Sequence, residues 1–157
     1  MIDITDELRA LVARLHEQKI DYALCGGMAM AIHDRPRFTI DIDLLIEDNS
    51  LSAAMGIAES MGYNIRGRDL SLGNGAVEIR RISKLDPDGG DLLTVDFLLV
   101  TPQTQVAWDS RVESEWEGGS VSVVSREGLV ALKKLSGRPQ DLVDIRTLTK
   151  DEDDGTT

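Results

Sequence analysis

Cysteine and aromatic residues are scarce in this chain of 157 residues. Its one cysteine, Cys25, excludes an internal disulfide and is consistent with a reducing compartment. With 4% aromatic residues, a core built from the 41% of hydrophobic residues must be mainly aliphatic. Long apolar runs are lacking too, since no segment approaches the roughly 18 residues of a membrane span and no apolar leader follows the N-terminus. We therefore expect a cytoplasmic protein that makes no membrane contact.

Basic residues are also few relative to acidic ones. The chain has 17 lysines and arginines against 28 aspartates and glutamates, and its formal net charge is -11. This balance argues against non-specific binding to a nucleic-acid backbone, which needs clustered basic side chains. Seven cations in the first two-thirds of the chain are either scattered solvated charges or a basic rim that receives a phosphate-bearing acceptor: Arg35, Arg37, Arg66, Arg68, Arg80, Arg81 and Lys84.

The spacing of apolar residues predicts one domain over residues 1–150, followed by an acidic, disordered tail at 151–157. Helices are predicted at 5–19, 28–32, 51–61, 102–110, 126–136 and 139–149. Strands are predicted at 22–25, 39–47, 76–82, 92–100 and 120–124, with a further β-prone segment before the glycines at 118–119. The pattern indicates an α/β or α+β fold with one mixed sheet flanked by helices. Strands 76–82 and 92–100 are expected to form a hairpin, and the last two helices a C-terminal pair.

Two acidic residues stand two positions apart in the segment 39–47. On a strand, Asp41 and Asp43 face the same side, while Ile42 and Leu44 face the core. Adjacent carboxylates repel each other unless one is protonated or a cation lies between them, and Mg²⁺ prefers carboxylate oxygens. The pair therefore indicates either a metal site or a polar strand end with two solvated acids.

A third acid, Asp96, interrupts the strongly apolar strand 92–100. Burying this carboxylate without a partner or a cation is costly, so it either faces water at the sheet edge or belongs to an ion site. If its strand lies beside that of Asp41 and Asp43, three carboxylates meet on one face. They can then hold two ions roughly 4 Å apart, an arrangement suited to in-line phosphoryl displacement.

Gly26 and Gly27 lie between a predicted strand and a short helix. Glycine lets a backbone approach phosphate closely, and a helix N-terminus offers unpaired N–H groups; a plain tight turn is the alternative. The order of Gly26-Gly27, then Asp41-Ile42-Asp43, then Asp96 resembles the signature of the nucleotidyltransferase superfamily related to DNA polymerase β.

The closer resemblance is to the AbiEii-like toxin-type nucleotidyltransferases. It is carried by residues 24–31, 37–43 and the distal block 129–145, and it spans about residues 22–149. The resemblance implies a nucleotidyltransferase fold and transfer of a nucleoside monophosphate from a nucleoside triphosphate to a hydroxyl. It also implies a toxin–antitoxin context with an antitoxin-type protein partner.

The resemblance assigns roles to the acids. Asp41 and Asp43 are expected to ligate Mg²⁺ or Mn²⁺, and Asp96 to complete the metal site and help deprotonate the acceptor hydroxyl. All three acids are thus candidate catalytic and metal-binding residues.

The resemblance also implies a nucleotide-binding set. The backbone of Gly26 and Gly27 is expected to hold the triphosphate, and Lys133 to neutralise phosphate charge. Arg37 and Thr39 are expected to frame the entrance of the site.

The distal block departs from the family pattern at one position, where Gln140 replaces a frequent lysine. Asp141 and Asp144, one helical turn apart, either reach the site or favour the dipole of their own helix. The acceptor is open between a tRNA end, a protein side chain and a small molecule. A non-catalytic nucleotide-binding or protein-interaction module of the same fold is the alternative function, and a purely structural protein with solvated acids is a third.

Overall fold

A computed structural model describes residues 2–33 and 41–154, with the side chains of the helix end at 151–154 left undescribed. The helices are α1 (Ile4–Glu17), α2 (Gly26–Ile32), α3 (Leu51–Ser60), α4 (Gln105–Asp109), α5 (Arg126–Ser136) and α6 (Pro139–Asp154), with a 3-10 turn at Asp48–Ser50. The strands are β1 (Ala23–Cys25), β2 (Asp41–Ile46), β3 (Ile65–Arg66), β4 (Leu70–Leu72), β5 (Val77–Leu85), β6 (Leu92–Leu99), β7 (Val112–Trp116) and β8 (Gly119–Val123).

All the strands join one mixed sheet, in the order β3-β5-β6-β2-β1-β8-β7, with β4 also paired to β5. Strand β2 runs parallel to β6 and antiparallel to β1, and β1 runs parallel to β8. Strands β5 and β6 form the expected antiparallel hairpin, and β7 and β8 form a second one. The prediction of a mixed sheet flanked by helices is confirmed.

The two central strands bury one face and carry acids on the other. Ile42 and Leu44 of β2 are buried, whereas Asp41 and Asp43 are half-buried, which confirms the predicted alternation along this strand. Asp43 lies directly opposite Asp96 in the parallel pairing of β2 with β6. Directly paired residues of neighbouring strands point to the same side of a sheet, so these two acids share one face.

The helices cover this sheet and complete an aliphatic core. Helix α1 contacts α3 and β2, helix α3 contacts β6, and α5 contacts β5 and α6. Helix α1 contributes Leu8, Leu11 and Leu15, each fully buried, at the i, i+3, i+7 spacing of an amphipathic helix. Few aromatic side chains enter this core, as the composition predicted.

Some elements differ from the sequence-based expectation. The helix expected from Pro102 begins at Gln105, because Thr101 and Thr104 bond to each other across a preceding turn. The short strands β3 and β4 were not predicted. Helix α6 continues to Asp154, so part of the expected disordered tail is helical, while residues 155–157 lie outside the described residues. None of the described helices is long and apolar enough to cross a membrane.

Candidate active site

A cleft of about 260 Å³ lies over the acidic face of the sheet, between strands β2, β5 and β6 and helices α5 and α6. Its lining residues are Cys25, Gly26, Asp41, Asp43, Val77, Ile79, Arg81, Asp96, Leu98, Leu129, Leu132, Lys133, Ser136, Arg138, Gln140 and Asp141. Five predicted site residues are therefore brought together here. Gly27 is buried and does not line the cleft, and Arg37 and Thr39 lie outside the described residues.

The pKa of Asp43, on the floor of the cleft, is strongly raised. Burial raises its pKa, and the negative charges of Asp96 and Asp41 raise it further, to about 7. Arg138 and Lys133 act in the opposite direction without cancelling these effects. The accumulated negative charge thus makes a proton, or another cation, favourable at this carboxylate.

Asp96 is buried, with 3% of its surface exposed, and its charge is met by Arg81 of the neighbouring strand β5. Nε of Arg81 donates to Oδ1 at 2.8 Å and Nη2 donates to Oδ2 at 2.9 Å, so the guanidinium engages both carboxylate oxygens. Bidentate pairs of this kind are strong and geometrically specific. The alternative of a solvated acid at the sheet edge is wrong for Asp96, because its strand lies inside the sheet and its carboxylate is covered.

Gly26 brings the backbone against the acids. Its φ of +67° is a left-handed conformation that favours glycine, and a Cβ here would collide with the side chain of Asp43. The preceding residue, Cys25, is buried and donates its thiol hydrogen to the backbone oxygen of Asp43 at 3.5 Å. The turn between β1 and α2 is therefore shaped around the Asp43 side chain.

Two acids of α6 meet cations at the far wall of the cleft. Nζ of Lys133 donates to Oδ2 of Asp144 at 2.8 Å and lies 4.0 Å from Oδ1 of Asp141. Nε of Arg138 donates to Oδ2 of Asp141 at 2.9 Å, and Gln140 donates to Oδ1 of Asp144 at 2.8 Å. Lys133 is buried, whereas the adjacent Lys134 is exposed and does not line the cleft.

No three histidine, cysteine, aspartate or glutamate side chains in the described ranges are grouped closely enough to hold a metal ion. In this conformation both Asp96 oxygens accept hydrogen bonds from Arg81.

The chain matches a family defined as nucleotidyl transferase AbiEii toxin of type IV toxin–antitoxin systems, over residues 8–157. The chain belongs to this family of nucleotidyltransferases. The family resemblance expected from residues 22–149 is confirmed. No curated protein sequence matches the chain.

Solved structures share the fold of this nucleotidyltransferase. A nucleotidyltransferase candidate from Thermotoga maritima, TM1012, is 15% identical with a TM-score of 0.63, and the match covers 96% of each chain. ANT(2'')-Ia, solved in complex with adenylyl-2''-tobramycin, is 17% identical with a TM-score of 0.65, covering 93% of this chain and 87% of that one. The lincosamide antibiotic adenylyltransferase LnuA, lincomycin-bound, is 15% identical with a TM-score of 0.51, covering 92% and 95%.

Two arginines of this nucleotidyltransferase cleft were not predicted as site residues: Arg81 was named only as one of several cations that could form a basic rim, and Arg138 was not named. The signal for Arg81 was present in the hairpin, because the six-residue turn at 86–91 fixes a register that places Arg81 opposite Asp96. Counting back from the turn pairs the two residues directly. Arg138 follows the glycine that ends α5 and carried no comparable signal, since its position depends on how α5 and α6 pack.

Proposed function

We propose that this nucleotidyltransferase moves a nucleoside monophosphate from a nucleoside triphosphate to a hydroxyl acceptor, using Asp41, Asp43 and Asp96 and divalent metal ions. The observation that carries the proposal is the parallel pairing of β2 with β6, which sets Asp43 directly opposite Asp96 on the cleft side of the sheet. Membership of the nucleotidyltransferase family supplies the reaction class.

The oxygen donors of the cleft are of the chemical type that Mg²⁺ or Mn²⁺ binds, although the three acids must come closer together than in the described conformation to hold an ion. Carboxylate oxygens are the ligands that these hard cations prefer. Burial and the negative charges of Asp96 and Asp41 raise the pKa of Asp43, and a bound cation would offset both effects. We assign Asp41, Asp43 and Asp96 as the residues that hold the ions. When bound, the ions neutralise the triphosphate and polarise the α-phosphate.

The chain's own groups then account for the transfer. The acceptor oxygen forms a bond to the α-phosphorus, and the bond from that phosphorus to the oxygen bridging to the β-phosphate breaks. Pyrophosphate leaves, and the proton of the acceptor hydroxyl passes to a carboxylate. We assign this proton to Asp96, the role that the family resemblance implies for it; as a general base it must lie within hydrogen-bond reach of the attacking hydroxyl.

The remaining residues bind the triphosphate in this proposal. The backbone at Gly26 and Gly27 approaches the phosphates, with no Cβ at Gly26 to intervene. Lys133, held on the cleft wall by Asp144, supplies positive charge. Arg37 and Thr39 keep the role at the entrance that the family resemblance assigns to them.

Transfer of label tests this function. Incubation with α-labelled triphosphates, Mn²⁺ and cell extract should label an acceptor, and the double variant Asp41→Ala, Asp43→Ala should reduce labelling by at least about a hundredfold. Asp48→Ala removes an exposed acid just beyond the same strand and serves as the matched control. Undiminished labelling by the double variant contradicts the proposed mechanism.

The acceptor and the biological context extend the same proposal. The family description supports a toxin role and, with it, an antitoxin-type protein partner. We further propose that the protein acts in the cytoplasm. The labelled acceptor is identified by fractionating the extract into tRNA, protein and small molecules. Growth arrest on expression that requires Asp43 supports the toxin role, and growth unaffected by wild-type expression contradicts it.

A further inference from the structure

The bidentate pair between Arg81 and Asp96 occupies the carboxylate that the proposed function needs for metal ions. Arg81 projects from the middle of β5, directly opposite Asp96 on β6. The Asp96 side chain is 5% exposed and that of Arg81 is 36% exposed, so the acid lies beneath the guanidinium, which reaches solvent at the cleft. A cation already present in the chain therefore neutralises the third acid.

The stem of Arg81 is held in place by a backbone contact. Gly67 packs over it so closely that a Cβ on the glycine would lie 3.1 Å from Cβ and Cγ and 3.2 Å from Cδ of Arg81. The amide of Gly67 also donates to the backbone oxygen of Arg81 at 3.0 Å. The stem is thus confined, and movement of this side chain is left mainly to its terminal guanidinium.

We propose that Arg81 is a resident counter-cation that competes with divalent metal ions for Asp96 and leaves this carboxylate when they bind. The inference rests on the proposed function, because it concerns the same metal site. The exchange replaces two N–H donors with a metal ion and involves no covalent step. Arg81 is in this account a positioning residue that keeps Asp96 neutralised and ordered between turnovers.

Charge determines the direction of the effect. A guanidinium and a divalent ion on the same carboxylate repel each other, so each weakens the binding of the other. A purely supporting arginine, which only aims Asp96 at the ions, has the opposite consequence, since its loss weakens metal binding. The sign of the change in metal affinity therefore separates the two roles.

Arg80 provides a matched control on the same strand. Its side chain points to the other side of the strand, where Nη1 lies 3.3 Å from Oε2 of Glu78 and Nε lies 3.5 Å from Oδ2 of Asp69. Removing Arg80 takes away the same charge from β5 without uncovering Asp96.

Titration calorimetry with Mn²⁺ alone tests the proposal on the full chain. Arg81→Gln should bind Mn²⁺ about tenfold more tightly than wild type, because the competing charge is gone. Arg80→Gln should match wild type. Unchanged or weaker binding by Arg81→Gln overturns the proposal.

Two further measurements keep the proposal testable if Arg81→Gln fails to fold. Gly67→Ala pushes on the Arg81 stem while keeping its charge, and should tighten Mn²⁺ binding by a smaller factor. In the wild type, the Nε–H resonance of Arg81 should shift as Mg²⁺ saturates the site. An Nε–H resonance that stays constant through saturation contradicts the exchange.

The outcomes also separate this inference from the proposed function. Wild type that binds Mn²⁺ and transfers label, together with an Arg81→Gln variant that binds no more tightly, removes the role of Arg81 alone. Wild type that binds no Mn²⁺ in the millimolar range, with or without a triphosphate, contradicts the metal site and the inference together.

Discussion

At the residue scale, the cleft concentrates negative charge that its own cations offset only in part. Asp96 is neutralised by Arg81 at close range, whereas Asp43 has burial and two acidic neighbours acting on it. Together these influences raise the pKa of Asp43 to about 7. In the metal-free protein, the Asp43 carboxyl of the proposed metal site therefore holds a proton below about pH 7.

The raised pKa of Asp43 predicts a pH-dependent effect on stability. Above its ordinary pKa of 3.8, the unfolded chain releases this proton while the folded, metal-free chain retains it up to about pH 7. The stabilising contribution is therefore complete at low pH and is lost as pH rises through about 7. Asp43→Asn removes this ionisation, so the melting temperature of the variant relative to wild type should rise between pH 5 and pH 8. These two pH values lie roughly one pH unit or more below and above the raised pKa.

Thermal melts of metal-free protein across this range measure the difference. Asp91→Asn, in the exposed turn between β5 and β6, is the control for removing one acid from the chain. A melting difference for Asp43→Asn that is the same at every pH contradicts the raised pKa.

The acids were predictable from sequence, but their partners were not. Asp41 and Asp43 stand two apart on an alternating strand, and Asp96 stands out in an apolar one, so local pattern was sufficient to find them. Arg81 required the register of a hairpin, and Arg138 required the packing of two helices. The assigned roles of the acids, of the glycines and of Lys133 stay predictions.

At the element scale, the turn from β1 into α2 is constrained by what faces it. Gly26 combines a positive φ with contact against Asp43, whereas Gly56, inside α3, has open space around the position of a Cβ. Gly26→Ala should therefore lower the free energy of unfolding by about 1–3 kcal/mol. Gly56→Ala should raise it by about 0.5–1 kcal/mol, because alanine is the better helix former.

Urea denaturation of both variants measures these opposite signs. Equal effects of the two substitutions contradict the special conformation assigned to Gly26. A Gly26→Ala variant that keeps wild-type stability does so as well.

Helices α5 and α6 are joined by a buried ion pair between Lys133 and Asp144. Removing one partner of such a pair leaves an uncompensated buried charge, so Lys133→Met should cost about 3–5 kcal/mol of stability. Lys134→Met, at the exposed neighbouring position, should stay within about 0.5 kcal/mol of wild type.

A double-mutant cycle with Asp144→Leu measures the coupling in the same denaturation experiment. The double variant should recover much of the loss, since replacing both charges with apolar side chains removes the burial penalty. Additive losses from the two substitutions contradict a direct pair.

The positions of helices and strands were predicted well where the spacing of apolar residues agrees with the glycines and prolines at their ends. Gly137 adopts a φ of +63° and follows the end of α5, and Pro139 begins α6, which matches the predicted helix end at 136 and helix start at 139. The start of α4 was misplaced because side-chain bonds within the threonine turn compete with helix formation. Strands β3 and β4 were missed because they are short, and they are defined by their pairing with β5 more than by any pattern of their own.

At the scale of the whole molecule, the order of the strands in the sheet brings the acids of the cleft together. The acids are more than fifty residues apart in sequence, and only the parallel pairing of β2 with β6 brings Asp43 opposite Asp96. Helices α5 and α6 then close the cleft with cations from the distal end of the chain. The sequence predicted a mixed sheet and made this pairing a condition of the site, which the observed topology meets.

Anomalous diffraction from crystals grown with Mn²⁺ and a non-hydrolysable nucleoside triphosphate tests the central claim most directly. We predict manganese peaks within coordination distance of Asp41, Asp43 and Asp96, beside the α-phosphate. Triphosphate bound without manganese at these carboxylates, or manganese bound only elsewhere on the chain, would contradict the account.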